Sequence, residues 1–179
     1  MRKIQIGVIG SMADVKIKDS LKEIAKKLGK EIAENGAILV FGFEGDFDSL
    51  STIAAKEAER FGGQTLAFVW GSNKANLGLK SLEVVTGQER GGGREFPLIL
   101  TCDVIIAIGG GSGTLNEMAI AYQAGIPIVV IKGTGGWSDK LVNKFLDERK
   151  RFKIIGVKTV KEAVKKAISI LKSKKNIKK

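Results

Sequence analysis

This sequence predicts an α/β fold: a doubly wound, Rossmann-like parallel sheet with helices on both faces. Three observations carry that prediction. Short apolar runs alternate with amphipathic stretches from one end of the chain to the other. The runs are near-continuous rather than alternating in polarity, as strands covered on both faces must be. Their ends are marked by glycine, which occurs 23 times against 2 prolines, so the turns are built for tight strand-to-helix passages rather than for disorder.

The elements follow in order. Ile4 to Gly10 is the first buried strand, and Ser20 to Glu34 has Leu21, Ile24, Ala25, Leu28 and Ile32 on one helical face. Ala37 to Gly42 is the second strand, Ser49 to Arg60 an alanine-rich helix, and Thr65 to Trp70 the third strand. The stretch Gly71 to Gly93 is less regular, with room for a short helix beside the apolar run Leu82 to Thr86. From Arg94 a helix leads to the strand Val104 to Ile108, followed by a helix over Thr114 to Ala124 and a strand over Pro127 to Ile131. Trp137 to Arg149 and Thr159 to Lys172 read as the closing helices, with a short strand near Ile154 to Val157. Neither a repeat nor a linker interrupts the pattern. Residues 1–179 are therefore expected to form one domain with a basic C-terminal helix and tail over about 159–179.

Composition excludes several chemistries. The chain has no histidine, so Ser-His-Asp triads, imidazole acid-base catalysis and histidine metal sites are out of reach. Cys102 is the only cysteine, which rules out an intramolecular disulfide and any CxxC motif and marks it as a core thiol. The net charge of +11 is concentrated toward the C-terminus, where a solvated basic helix accounts for it. Nucleic acid is therefore not the expected partner. No apolar run approaches the roughly 20 residues that span a bilayer, and Met1-Arg2-Lys3 leads directly into a strand, so no membrane association and a cytoplasmic location are expected.

The motifs narrow the field further. After the first strand the chain reads GVIGSMAD, without the GxGxxG dinucleotide fingerprint, and the P-loop GxxxxGK[ST] is absent. The phosphate-type turn stands instead after the fourth long strand, in IAIGGGSGTLNE. There Gly109, Gly110, Gly111, Ser112, Gly113 and Thr114 leave backbone amides uncovered at a helix start, a site suited to phosphate. Glu117 follows within the first helical turn and has two readings. Thr114-Leu115-Asn116-Glu117 fits the S/T-x-x-E capping box, as do Ser20 to Glu23 and Thr159 to Glu162. Beside an anion site the same carboxylate could do acid, base or charge-stabilising work. Arg94 follows the glycines Gly91 to Gly93 and could clamp a phosphate. Glu44, Asp46 and Asp48 alternate after the second strand, with Asp48 placed to cap the next helix. In a doubly wound fold the loops bearing Gly10-Ser11, Gly42-Phe43-Glu44, Trp70 to Asn73 and Gly109 to Gly113 converge at the carboxyl ends of the strands.

At Arg94 and the run Asp103 to Glu117 the sequence resembles the LOG (Lonely Guy) family of cytokinin riboside 5'-monophosphate phosphoribohydrolases. Their signature is an arginine followed, after a helix and a strand, by PGGxGTxxE. Arg94 and Glu117 stand 23 positions apart, the separation expected in that family. The resemblance implies that Gly110, Gly111, Gly113 and Thr114 hold a 5'-phosphate. It also implies that Arg94 and Glu117 serve hydrolysis of the N-glycosidic bond, and that the chain forms a homo-oligomer, a dimer or tetramer. Gly10, Ser11, Gly42, Phe43, Glu44, Ser72 and Asn73 would then receive ribose and base, with no metal and no cofactor required.

Two departures point to a sister branch of the superfamily. Gly109 stands in place of the motif's proline, and Phe43-Glu44 stands where a second glycine is expected. That branch includes molybdenum-cofactor carrier proteins and more distant relatives of the DNA-processing protein DprA. The expected ligand is a nucleoside monophosphate or another phosphorylated small molecule. The expected function is phosphoribohydrolysis; the alternative is a non-catalytic nucleotide or molybdenum-cofactor carrier.

Overall fold

In the computed structural model residues 2–11, 15–45 and 48–177 are described. The strands are β1 (Gln5–Gly10), β2 (Ile38–Phe43), β3 (Gln64–Val69), β4 (Leu82–Val85), β5 (Val104–Ile108), β6 (Ile128–Ile131) and β7 (Ile155–Val157). The helices are α1 (Asp19–Glu34), α2 (Leu50–Arg60), α3 (Glu95–Thr101), α4 (Ser112–Gln123), α5 (Gly136–Leu141) and α6 (Val160–Ile177). The sheet order is β4-β3-β2-β1-β5-β6-β7, and every neighbouring pair is parallel. The chain winds outward from β1 to β4, then crosses back to lay β5 on the other side of β1. The carboxyl ends of β1 and β5 therefore flank the topological switch point, where open α/β sheets bind ligands.

Each central strand buries both faces, with side chains alternating between them. Ile6, Val8, Leu39, Phe41, Ile106, Ile108, Val129 and Ile131 join one core layer, to which α1, α2 and α6 contribute Leu28, Ile32, Ala54, Ala58 and Val164. Ile9, Val40, Ile105, Ala107, Ile128 and Val130 face the other layer, with Leu98 and Ile99 of α3 and Met118 and Tyr122 of α4. Burying one such aliphatic side chain contributes about 1.5–3 kcal/mol, against about 0–1 kcal/mol for an exposed ion pair. The apolar layers rather than the lysine-glutamate pairs on the helix surfaces hold the fold. Gly29 lets α1 meet α2 at backbone distance, since a Cβ there would lie 1.9 Å from the Ala54 carbonyl oxygen. Cys102 is buried as expected; its thiol donates to the Leu98 carbonyl at 3.2 Å, and burial raises its pKa. Among the described residues no helix is long and apolar enough to cross a membrane.

The structure corrects several local expectations. The helix expected over Trp137 to Arg149 ends at Leu141, because Val142 is extended (φ −53°, ψ 129°) and Asn143 is left-handed (φ 59°). The following segment instead closes the end of α4: Tyr122 donates to Asp147 at 3.3 Å and accepts from the Arg151 amide at 2.9 Å. Asp48 does not cap α2. Ser49 does, accepting from the Thr52 amide at 3.1 Å, while Asp48 pairs with Lys56. Ser20 lies inside α1, whose N-cap is Lys18 with no side-chain cap bond. The segment 71–93 holds the strand β4 and no helix. Asp46 lies outside the described residues.

Candidate functional site

A cleft of about 460 Å³ opens where the carboxyl ends of β1 and β2 meet α3 and α4. One end is built by the glycine turn after β5. Gly109 (φ 63°) and Gly110 (φ 97°) adopt left-handed backbone, and a Cβ on Gly110 would lie 2.5 Å from the Thr114 side chain. The turn is pinned from behind. The Gly109 amide donates to the Thr134 hydroxyl at 2.9 Å, and the Gly109 carbonyl accepts from the Ser138 amide at 3.1 Å and hydroxyl at 2.8 Å. The Gly110 carbonyl accepts from the Trp137 amide at 3.0 Å, and the Gly111 amide donates to the Ser11 carbonyl at 3.0 Å. With its glycine carbonyls turned onto α5, the chain enters α4 two residues before Thr114.

This early start decides the capping question. The N-cap is Gly111, which has no side chain to offer, and the first helical bond runs from the Leu115 amide to the Gly111 carbonyl at 3.1 Å. The amides of Ser112, Gly113 and Thr114 therefore have no acceptor within the helix. All three residues line the cleft, and a Cβ on Gly113 would meet nothing within 4 Å. Such an end, with its partial positive charge, accepts an anion. Glu117 takes no part in a capping box: its carboxyl makes no hydrogen bond or ion pair among the described residues, and it lines the cleft. Burial pushes its pKa up to about 8; Arg94 pulls it down, while Glu95 and Glu44 push it further up.

Arg94, Glu44 and Glu95 form the opposite wall. Gly42 makes space for the guanidinium, because a Cβ there would lie 2.8 Å from Arg94 Nη1. Arg94 Nη2 donates to Glu44 Oε1 at 2.9 Å and to Glu95 Oε1 at 3.0 Å, and Nη1 donates to the Phe43 carbonyl at 3.2 Å. Burial alone would lower the Arg94 pKa, but the Glu44 and Glu95 carboxylates hold it above its ordinary value. The side chains of Arg94 and Glu95 are only 4% and 3% exposed. Breaking such a pair leaves an uncompensated buried charge, at a cost of about 3–5 kcal/mol. Arg94 is therefore held by protein carboxylates rather than extended toward an anion. Among the described residues two buried atoms of this wall, Arg94 Nε and Glu95 Oε2, have no hydrogen-bond partner.

Of the residues singled out from sequence, Gly10, Ser11, Gly42, Glu44, Arg94, Gly111, Ser112, Gly113, Thr114 and Glu117 line this one cleft. Gly109 and Gly110 face a neighbouring cleft of about 410 Å³ on the α1 and α5 side. Phe43 packs against the core layer, and Ser72 and Asn73 are exposed beyond β3, so these three do not line the cleft. Sequence reasoning missed Ser49, Ser51 and Glu95, which do. Glu95 adjoins Arg94 in the chain, and an acid beside a buried arginine was the available signal.

The comparisons with known proteins agree with this architecture. The solved structure of TM1055 superposes with a TM-score of 0.80 at 28% identity, covering 93% of this chain and 99% of that one. The molybdenum cofactor carrier protein of Chlamydomonas reinhardtii superposes with a TM-score of 0.76 at 28% identity, covering 96% of this chain and 99% of that one. An uncharacterized protein of Archaeoglobus fulgidus is 30% identical over 132 residues, 74% of this chain and 82% of that relative. The family model described as SLOG cluster4 matches residues 3–164, and the chain belongs to that family.

Proposed function

We propose that this chain binds a phosphorylated small molecule of the molybdenum-cofactor class, with its phosphate on the amides of Ser112, Gly113 and Thr114, and carries it without cleaving it. The observation that carries this reading is the open end of α4, with three cleft-lining amides that no group among the described residues accepts from. The cleft volume falls within the roughly 300–1,000 Å³ of small-molecule sites. Among the described residues no group of three or more Cys, Asp or Glu is placed to hold a metal ion. The likeness to a molybdenum cofactor carrier at 28% identity supports the same class of ligand.

The state of the two expected catalytic residues favours carriage over hydrolysis. Breaking a base-ribose bond builds positive charge on the sugar, which a carboxylate stabilises and a neutral acid does not. With a pKa of about 8, Glu117 is mostly protonated at neutral pH. Arg94 is already neutralised by Glu44 and Glu95. One observation favours the second reading: a neutral Glu117 could protonate a departing base as a general acid.

The test is to incubate the protein with molybdenum cofactor and with the four common nucleoside monophosphates, following retention by native mass spectrometry and free base by chromatography. Carriage predicts a retained phosphorylated cofactor that Gly113→Val abolishes by filling the space before the amides, and no free base. Release of base that Glu117→Ala stops would establish hydrolysis instead. Absence of any retained phosphorylated ligand would overturn the phosphate site.

A further inference from the structure

We infer that Glu117 completes the phosphate site by holding one proton between its carboxyl and the bound phosphate, so that affinity for a phosphate monoester depends on that proton. This rests on the phosphate site proposed above and adds its regulation by pH.

Helix geometry puts the two groups together. Gly113 and Thr114 precede Glu117 by four and three residues within α4, and residues at those separations are neighbours on one helix face, about 5–6 Å apart. Helical side chains lean back toward the N-terminus, which for Glu117 is the direction of the open amides. All three residues line the cleft. Glu117 is half-buried there, and its carboxyl makes no hydrogen bond or ion pair among the described residues. A phosphate accepting from the Gly113 and Thr114 amides therefore comes within reach of that carboxyl.

The surrounding charges leave the proton to Glu117. Among the described residues the other charged groups lining the cleft are Glu44 after β2, Arg90 before α3, and Arg94 and Glu95 at the start of α3. They close among themselves: Arg90 pairs with Glu44 at 3.0 Å, and Arg94 pairs with Glu44 at 2.9 Å and with Glu95 at 3.0 Å. The ends of β1 and α2 add only the hydroxyls of Ser11, Ser49 and Ser51, and the Cys102 thiol after α3 is kept neutral by burial. Two arginines against two glutamates sum to no net charge, so ionisation of Glu117 decides whether the cleft is neutral or negative. A carboxylate and a phosphate dianion at hydrogen-bond distance repel, and such a pair retains one proton as two neighbouring carboxylates do. Burial already favours the neutral carboxyl, whose pKa is pushed up to about 8. Its O–H then donates to a phosphate oxygen in a charge-assisted bond. Below about pH 8 Glu117 brings the proton itself; above it, the proton comes from solvent as the ligand binds.

The experiment is calorimetric titration of the full chain with methyl phosphate at pH 7 and pH 9, in two buffers of different ionisation heat at each pH so that protons taken up are counted. The second ionisation of a phosphate monoester lies near about pH 6, so the probe is a dianion throughout and the change reports the protein. We expect affinity to fall about ten-fold from pH 7 to pH 9, as the neutral fraction of a group titrating at about 8 does. Proton uptake should rise over the same interval from near zero to about one per ligand bound. Glu117→Gln keeps a donor that cannot titrate, so its affinity should change less than about two-fold between the two pH values, with no uptake. Glu117→Ala should be equally flat but about ten-fold weaker than Glu117→Gln, the loss of a hydrogen bond to a charged group. Equal affinity of the two variants would overturn the hydrogen bond. Affinity of the unaltered chain that ignores pH, without proton uptake, would overturn this inference and leave the phosphate site standing, as would a fall with pH that Glu117→Gln retains. The proton count on the unaltered chain decides even if a variant folds poorly. No binding of methyl phosphate at pH 7 overturns the phosphate site and this inference with it.

Discussion

The chain writes the same four-residue pattern at two helix starts and uses it in opposite ways. At α6 Thr159 and Glu162 close a complete capping box: the Thr159 hydroxyl accepts from the Glu162 amide at 3.2 Å, and Glu162 Oε2 accepts from the Lys158 and Thr159 amides at 2.9 and 3.3 Å. At α4 Thr114 and Glu117 have identical spacing, yet the helix has already begun at Ser112 and Glu117 bonds to no amide. The glycine turn makes the difference. Pinned by Ser11, Thr134 and Ser138, it advances the helix start and leaves the amides of α4 facing a cleft. A helix end closed by its own side chains contributes stability; one left open has its donors available to a ligand.

Removing the turn should have the largest effect. Gly110→Val places a β-branched residue at φ 97° with its Cβ 2.5 Å from the Thr114 side chain. We expect a loss of about 2–4 kcal/mol from backbone strain and overpacking together, read by urea denaturation, and loss of phosphate binding. Unchanged stability would mean that the turn does not set the start of α4.

Glu117→Gln should act next, and in the stabilising direction. A carboxyl whose folded pKa is about 8 stays protonated in the native state while its unfolded counterpart ionises near its ordinary value. Its contribution is complete at acid pH, falls as pH rises through the unfolded pKa, and is fully lost once pH passes about 8. Glutamine mimics the neutral form at every pH. The variant should gain about 1–2 kcal/mol at pH 8, less than a full shift would give because the side chain borders an open cleft. It should gain nothing below about pH 4. Denaturation curves at both pH values check this, and a gain independent of pH would remove titration of Glu117 as the cause.

Much of the fold was legible because it depends on pattern. Apolar runs gave six of the seven strands within a residue or two, whereas β4 was legible only as the apolar run Leu82 to Thr86 and the strand order, with its switch between β1 and β5, came from the structure. The amide half of the site was legible for the same reason, since Gly111 to Thr114 and Glu117 are contiguous on one element. The opposite wall was not. Glu44, expected to receive ribose, is the ion partner of an arginine 50 residues away, a contact that no local pattern encodes. Ser72 and Asn73 have loop-like composition, but the turn pairs Gly71 with Gln88 and carries the chain outward toward β4. Asp48 and Ser49 are both good N-caps by type. Lys56 engages the first and the helix takes the second.

The smallest predicted effect tests the comparison through its sign. Glu162→Gln keeps a side-chain oxygen able to accept from the Lys158 and Thr159 amides, so the hydrogen-bonded cap survives. What it removes is a negative charge at the N-terminus of α6, worth about 0.3–1 kcal/mol at low ionic strength. The same substitution at the same place in the same motif should thus destabilise at residue 162 and stabilise at residue 117. The two effects should also answer differently to salt. The charge-dipole term at the exposed end of α6 should shrink toward zero near 1 M salt, where the screening length is about 3 Å. The cost of ionising Glu117 comes mainly from burial and should persist. Paired denaturation curves for the two variants at low and high salt, at pH 8, measure both differences. If both substitutions destabilise and both effects fade with salt, Glu117 is acting as an ordinary helix-terminal carboxylate, and the open end of α4 is closed by the chain itself.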